Sequence, residues 1–446
     1  MITTFSGIRF GILGLGRSGI GAAGLIKRLG GTALISDKKD AAHFTELLPK
    51  LAAQGIDVET GGHDRLFSEF FDFLIVSPGA VLNDDRIKLL RANGTRIWSE
   101  LELASRCFDG KWIAVTGSNG KTTTVTLIDS ILREAGLKSE AVGNIGTAWS
   151  ERLPSSDTDV FVVEVSSFQM EHTFTAKPTV CVLLNVLENH LDRHGDIETY
   201  GALKLKLAAK QSSEEFLVLN RDDRFLMSHG SEIAATKKYF GRQPAEWNVK
   251  GDSLFLRNSE SEELVLSTSE WPLVGRHNLL NAGAAGAAAH CLSVSVATIR
   301  AGLRKAKAVE HRIEVVATIN GIRYVNDSKS TNLTATLTAL DAIDGSVVLL
   351  FGGRPKRESF SPLAAQLGTK IRRLIVFGEA REKIKSDLGS SKNIEYCDDM
   401  TSALEAANRV ANYEDTVLLS PGCASFDQFE NFEERGKQFK KLVIER

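Results

Sequence analysis

Net charge is what this sequence most obviously lacks: across 446 residues, 54 lysines and arginines face 56 aspartates and glutamates, a formal −2. Without a basic excess there is no electrostatic footprint for nucleic acid or for an anionic membrane. Cysteine is scarce as well. Its five copies (Cys107, Cys181, Cys291, Cys397 and Cys423) are odd in number, widely scattered and without a CxxC spacing, which argues for buried, reduced thiols in a cytoplasmic protein rather than a disulfide framework. Glycine- or proline-rich linkers are missing, and no tandem repeat of short period is visible. One stretch, Leu279 to Ile299, carries no formal charge over a membrane-sized length. It is made of Ala, Gly, Ser and Asn rather than Leu and Phe, and so predicts a closely packed buried helix followed by a second short one. The opening MITTFSGIRFGILGLG has no charged n-region and enters a strand almost at once, so no signal peptide is expected.

What is present is a soluble globular composition, 43% hydrophobic and 25% charged, on a chain long enough for two or three domains. Apolar strand-like runs alternate with helical patterns, which predicts doubly wound α/β domains with mainly parallel sheets. Boundaries are expected near residues 107 and 309. Between Tyr239 and Trp271 the text turns polar and alternating (SLFLRN, ELVLST), the mark of a hairpin excursion.

The chemistry concentrates at VTGSNGKTTT, Val115 to Thr124, where an apolar strand runs into a glycine-containing turn and then a helix. The backbone N–H groups of such a turn, through Gly117, Ser118, Asn119, Gly120 and Thr123, can wrap a polyphosphate at the positive end of the helix. Lys121 supplies charge and Thr122 a hydroxyl for Mg²⁺. The strict Walker pattern fails, because Val115 stands where its first glycine belongs. Glu164, near the C-terminal end of a later strand, suits a carboxylate completing that Mg²⁺ shell; a buried structural acid is the alternative. After the next strand, NVLENHLDRHG packs Glu188, His190, Asp192 and His194 together.

Two other regions carry phosphate-type chemistry. Gly14-Leu-Gly16-Arg-Ser-Gly19 follows a strand, with Asp37 at the end of the next. This is formally a dinucleotide fingerprint, and it equally serves a diphosphate-sugar nucleotide or a tight turn needed for packing. Toward the C-terminus, Asp327 in NDSKSTN can accept from a ribose hydroxyl, while Lys329 and Arg312 can neutralise phosphate. Cys423, in SPGCASFDQF, is a possible nucleophile without a marked His–Asp companion, so packing is the preferred reading.

Taken in order, GLGRSG, SPG, TGSNGKTT, GNIG, EVSSFQ, HLDRHG, GRHNLLNA, EHRIE, NDSKSTN and SPGCASFDQFENFEERG resemble the Mur ligases, ATP-dependent amide-forming enzymes of bacterial cell-wall synthesis. The resemblance implies three α/β domains: an N-terminal Rossmann-like unit for UDP-sugar (1–106), a central P-loop ATPase with a mainly parallel sheet (107–308), and a C-terminal Rossmann-like unit for the amino acid (309–446). It implies an ADP-forming ligase adding D-glutamate to UDP-N-acetylmuramoyl-L-alanine through an acyl phosphate. Arg17, Ser18, Asp37, Lys38 and Gly79 fall where the family holds UDP, and Asn144 near the sugar. Lys121 matches the phosphate-loop lysine, Thr122 and Glu164 the ligands of one Mg²⁺, His190 a ligand of a second, and Lys204 the lysine carried as a carbamate. Asn278, Arg312, Asp327 and Lys329 match nucleotide positions; Thr331, Lys356, Ser425, Phe426 and Phe432 match positions around D-glutamate. The family also implies a cytoplasmic monomer acting on small molecules, with no nucleic-acid partner and no membrane insertion. Asn189 and the GGRPK loop depart from the family's commoner Asp and GGxDK. The rival classes are another Mur ligase or a folylpolyglutamate synthase, a nucleotide-driven switch, and a nicotinamide dehydrogenase using GLGRSG.

Overall fold

The computed structural model describes residues 1–445 except 81–84, 156, 272, 274, 276 and 357. Arg276 of GRHNLLNA and the side chain of Asp192 lie outside the described set. Among the described residues, three sheets carry the chain.

The first sheet is wholly parallel, in the order Asp57–Thr60, Thr32–Asp37, Arg9–Leu13, Phe73–Val76, Arg96–Ser99. The chain order reverses beside Arg9–Leu13, and open α/β sheets bind ligands at such a switch point. Phe10, Ile12, Leu34 and Ile75 are buried in their strands. The helix Arg17–Arg28 starts directly after the first strand, which points backbone N–H groups at the switch point.

The second sheet runs Ser139–Gly143, Val160–Glu164, Lys111–Thr116, Val180–Leu183, Phe216–Asn220, Thr236–Gly241, Trp247–Lys250, Ser253–Arg257, Glu262–Ser267. It is parallel up to Trp247–Lys250, and the last two strands form the expected antiparallel hairpin. The uncharged stretch forms a helix, His277–Cys291, and a second, Val296–Lys305. The first of these is lined by Ala282, Ala284, Ala285, Ala287, Ala288 and Ala289, all buried.

The third sheet has the order Glu314–Ile319, Ile322–Asn326, Thr416–Gly422, Val347–Gly352, Ile371–Phe377, Ile394–Tyr396. It is parallel except for its first pair. That pair is a hairpin turning at Asn320 and Gly321, both at positive φ (51° and 76°), as a two-residue turn of this hand requires.

By compactness the chain forms two units: residues 1–267 with 280–306, and 268–279 with 307–446. The first and second sheets share one unit, and two acids of the helix Glu100–Arg106 fasten them. Glu102, fully buried, accepts from the N–H groups of Phe174 (2.8 Å) and Thr175 (3.0 Å) and the Thr175 hydroxyl (2.7 Å). Burial pushes its carboxyl up, but these donors outweigh that and hold it below the usual range. Glu100 accepts from the Ser150 N–H at 2.7 Å.

Candidate active site

In the first unit, the strand Lys111–Thr116 delivers the phosphate loop to the helix Lys121–Glu134. Val115 is not a loop residue. It is buried inside the strand, paired with Glu164 on one side and Val182 on the other, so the turn begins only at Gly117. Two glycines are needed there. Gly120 has φ 84°, and a Cβ would lie 2.4 Å from Asn281 Oδ1; at Gly117 a Cβ would lie 2.8 Å from Leu184 Cβ. Asn185 braces the turn by accepting the Asn119 N–H at 2.8 Å. Lys121 folds back, donating to the carbonyls of Gly117 (2.8 Å) and Ser118 (3.0 Å).

Beside the loop, Thr122 donates to Glu164 Oε2 at 2.7 Å, and Asn144 donates to Glu164 Oε1 at 2.8 Å. Both carboxylate oxygens are thus aimed by residues from two other segments. Ser118 ties the loop to the following cluster, donating to Leu187 O (3.0 Å), with its Oγ 3.2 Å from the Tyr200 hydroxyl. Asn189 also hydrogen-bonds the Tyr200 side chain.

The described side chains of NVLENHLDRHG, those of Glu188, His190 and His194, have different settings. Glu188 is exposed. His194 is buried, 3.0 Å from Ser167 Oγ and stacked between Phe168 and Tyr200, a packed position. His190 is half-buried at positive φ (56°), its ring edge-on to Phe168. Tyr200 and Lys204, four apart on the helix Ile197–Leu205, share a face. The Lys204 amine lies 4.1 Å from the Tyr200 ring centroid and is buried. Burial first, and the Lys121 ammonium second, push it well below the ordinary lysine value.

Arg17, Ser18, Asp37, Lys38, Gly79 and Asn144 all line one cleft of about 560 Å³ at the switch point of the first sheet. Asp37 is an organiser here: it accepts from the N–H groups of Leu15 (2.8 Å) and Lys39 (3.0 Å). Arg17 donates to Gly146 O at 3.0 Å. Asn144 is common to the cleft and to the Glu164 corner, and so joins the two. His63, Phe67 and Ile87 also line the cleft. Sequence reasoning missed them, since a lone histidine after the polar strand DVET carries no motif.

The second unit gathers the other candidates on strand-terminal loops. Asp327 is buried; its Oδ2 accepts from Ser330 (2.5 Å) and Ser420 (2.8 Å), and Oδ1 from the Ile313 N–H (3.3 Å). Burial raises its carboxyl to about 6 against the opposing pull of those hydroxyls and Arg312. Arg312 sits between two residues at positive φ, His311 (64°) and Ile313 (45°), costly for a β-branched side chain. Lys329 lies 3.6 Å over the ring of Phe432. Ser425 is buried, Thr331 half-buried, and Lys356 and Phe426 exposed; Asn278 is buried at the start of its helix.

Arg435 was not foreseen. Fully buried, it donates to Ser328 O (2.8 Å) and Cys423 O (3.1 Å), clamping two of these loops together. In GGRPK, Arg354 turns outward to a two-pronged pair with Glu379, both bonds 2.9 Å. Cys423 is buried, and burial pushes its thiol up to about 12, which fits packing rather than nucleophilic attack. Among the described residues no three His, Cys, Asp or Glu side chains cluster as a metal site, and no helix is long and apolar enough to cross a membrane.

Residues 115–289 match the family described as Mur ligase middle domain, and residues 311–423 the Mur ligase, glutamate ligase domain. UDP-N-acetylmuramoylalanine–D-glutamate ligase of Acidobacterium capsulatum is 38% identical over 439 residues, 97% of this chain and 95% of that protein. The enzyme of the same name from Alkaliphilus metalliredigens is 37% identical over 97% of each chain. Among solved structures, UDP-N-acetylmuramate-alanine ligase from Thermotoga maritima superposes with a TM-score of 0.64 at 18% identity, covering 98% of this chain and 99% of that one. A pseudomurein peptide ligase type C from Methanothermus fervidus gives 0.62 at 20%, with the same coverage. These two likenesses speak for the fold.

Proposed function

Because this chain belongs to the Mur ligase family, we propose that its phosphate loop serves to activate a carboxylate. The chain is an ATP-dependent ligase that adds D-glutamate to UDP-N-acetylmuramoyl-L-alanine in peptidoglycan precursor synthesis. The observation that carries this is the near-full-length similarity to D-glutamate ligases, since the phosphate loop alone would suit many ATP-using enzymes.

In this reading the terminal L-alanine carboxylate attacks the γ-phosphorus of ATP, a P–O bond forms and the bond to ADP breaks. The D-glutamate amine then attacks the acyl carbon, loses a proton, and phosphate departs with its bonding pair. Lys121 holds transferring oxygens with the loop N–H groups, because phosphoryl transfer depends on positioning and charge stabilisation. Arg17, Ser18, Asp37, Lys38, Gly79 and Asn144 hold the sugar nucleotide, so that Asn144 carries the substrate's position to Glu164.

The Thr122 and Glu164 oxygens, 2.7 Å apart, fit Mg²⁺, which takes hard oxygen donors and one or two carboxylates beside substrate phosphates. Bound there, Mg²⁺ neutralises charge on the transferring group. A second Mg²⁺ is assigned to His190 and to Lys204 as its carbamate. An ammonium repels a metal, whereas the unprotonated amine, which burial favours at Lys204, can add to CO₂, losing a proton to become an anionic oxygen ligand. Asn278, Arg312, Asp327 and Lys329 are assigned to the nucleotide, and Thr331, Lys356, Ser425, Phe426 and Phe432 to D-glutamate. The limits 1–106, 107–308 and 309–446, a monomeric state and a cytoplasmic location belong to the same reading.

The test is phosphate release with ATP, Mg²⁺, UDP-N-acetylmuramoyl-L-alanine and single amino acids of both hands. D-Glutamate should stimulate most. Preference for another acceptor would overturn the acceptor assignment, and stimulation by none would leave a nucleotide switch.

A further inference from the structure

A second cavity, of about 470 Å³, opens at the seam between the first and second sheets, and none of the residues assigned above lines it. One wall is the edge of the first sheet, with Arg91, Arg96 and Trp98; the other follows the short helix Ser167–Met170, with Glu171, His172 and Phe174. Ser99 joins the walls: its N–H donates to His172 O at 2.8 Å, and its Oγ lies 2.7 Å from Thr173 Oγ1. His172 is 8% exposed, and its Nδ1 is buried without a hydrogen-bond partner. Burial first, and the Arg91 guanidinium second, push the ring down to about 4, so it is neutral in ordinary buffers. A neutral imidazole has one hydrogen to place. Buried N–H groups without an acceptor are rarer than unused lone pairs, so the hydrogen belongs on Nε2, the ring nitrogen left to face the cavity. That N–H calls for an acceptor.

The charges around it call for an anion. Among the described residues neither Arg91 nor Arg96 is in an ion pair, and the Arg96 guanidinium rests 5.7 Å from the Phe73 ring centroid. The one acid of the wall is already matched: Arg193 holds both oxygens of Glu171, at 2.9 and 2.8 Å. Lys206 adds a further ammonium, 4.7 Å from the Phe174 ring centroid. We propose that this cavity binds an organic phosphomonoester, its phosphate oxygens accepting from Arg91, Arg96 and His172 Nε2 and its apolar body lying against Trp98 and Phe174. Two guanidinium forks match a dianion with three free oxygens better than they match a single carboxylate. The volume is that of a small-molecule site rather than of an inorganic ion, and Phe174, 44% exposed, offers an uncovered apolar wall.

Calorimetric titration of the full chain with phenyl phosphate tests this. Binding should be saturable and should weaken by about tenfold or more in the double variant Arg91→Ala/Arg96→Ala, the loss of charge-assisted hydrogen bonds. Both guanidiniums lie at the surface, so that variant should melt as the wild type does. His172→Phe keeps the ring's bulk and removes its donor, so affinity should fall by a few-fold. Lys38→Ala, in the cleft of the first sheet, and Lys121→Ala, at the phosphate loop, should bind phenyl phosphate as the wild type does. Inorganic phosphate, without the apolar body, and phenylacetate, with one charge, should each bind about tenfold more weakly. The nitrogen resonances of His172 should show the proton on Nε2 and should move as phenyl phosphate is added. Absence of binding, affinity unchanged in the double arginine variant, a loss that follows Lys38 or Lys121, or a proton on Nδ1 would each overturn the site. Inorganic phosphate or phenylacetate binding as tightly as phenyl phosphate would overturn the ligand class.

Discussion

Two buried carboxylates end strands in the two compact units, Glu164 in the first and Asp327 in the second, and they are held differently. Their exposures, 3% and 5%, do not separate them. The oxygens of Glu164 are divided between Thr122, from the helix after the strand Lys111–Thr116, and Asn144, from the cleft of the first sheet. Asp327 instead takes two hydroxyls on one oxygen, from Ser330 and Ser420, and a backbone N–H on the other. Burial of an acid does not tell whether it serves a ligand or the fold. The origin of its partners separates the two: Glu164 is held by groups assigned to substrate and nucleotide, whereas Asp327, itself assigned to the nucleotide, is held by its own neighbouring loops.

The largest expected effect lies in the same unit as Glu164, at Lys204. Lys204→Ala should lower turnover by about 10³-fold or more, about 4 kcal/mol of barrier, and short carboxylates in the assay should restore part of it. Full activity of that variant would remove the carbamate role. Next comes the matched pair Glu164→Gln and Asp327→Asn. The first should cost about 100-fold in turnover, as loss of a charge-stabilising group does, raise the Mg²⁺ requirement, and leave the urea midpoint nearly unchanged. The second should act on stability as well as on ATP affinity. With the folded carboxyl of Asp327 near 6 against about 3.9 unfolded, the folded state binds the proton more tightly between those values. Unfolding free energy should therefore decline as pH rises from about 4 to about 6, by at most about 3 kcal/mol, and the asparagine variant should lose that slope. If instead Glu164→Gln shifts the midpoint more than Asp327→Asn, the distinction between the two acids fails. The smallest effect is expected at Cys423: replacement by alanine should leave turnover within about twofold, because its buried thiol is held protonated. A total loss without unfolding would reinstate it as a reacting group.

Much of this was legible in the sequence, for physical reasons that differ by element. Val160–Glu164 and Val180–Leu183 are buried on both faces, so they had to read as unbroken apolar runs. The phosphate loop declared itself through glycines that its backbone needs at Gly117 and Gly120. Val115 looked like a defect only because a spacing rule counts positions, whereas the fold places it in the strand. The hairpin at Asn320-Gly321 had a signal that was not used, an Asn-Gly pair between the runs VVATI and IRYVN. Arg435 and His63 had none: each is an ordinary polar residue in a polar stretch, given its role by burial and by partners far away in sequence. The same holds for Glu100 and Glu102, whose burial nothing in the sequence marks.

Those two acids bear on how such a protein can be recombined. A chimera cut near residue 106 would carry Glu100 and Glu102 into a new context without Ser150, Phe174 and Thr175, whose N–H groups they accept. Two carboxyl groups would then enter a buried seam without their donors; for Glu102, whose donors hold its carboxyl below the usual range, a buried charge left unpaired costs about 3–5 kcal/mol. The segment that must travel with a grafted N-terminal sheet is therefore the patch from about Ser150 to Thr175, although it is far away along the chain and belongs by strand order to the next sheet. Inheritance of the cleft at the switch point of the first sheet is tied to inheritance of that patch.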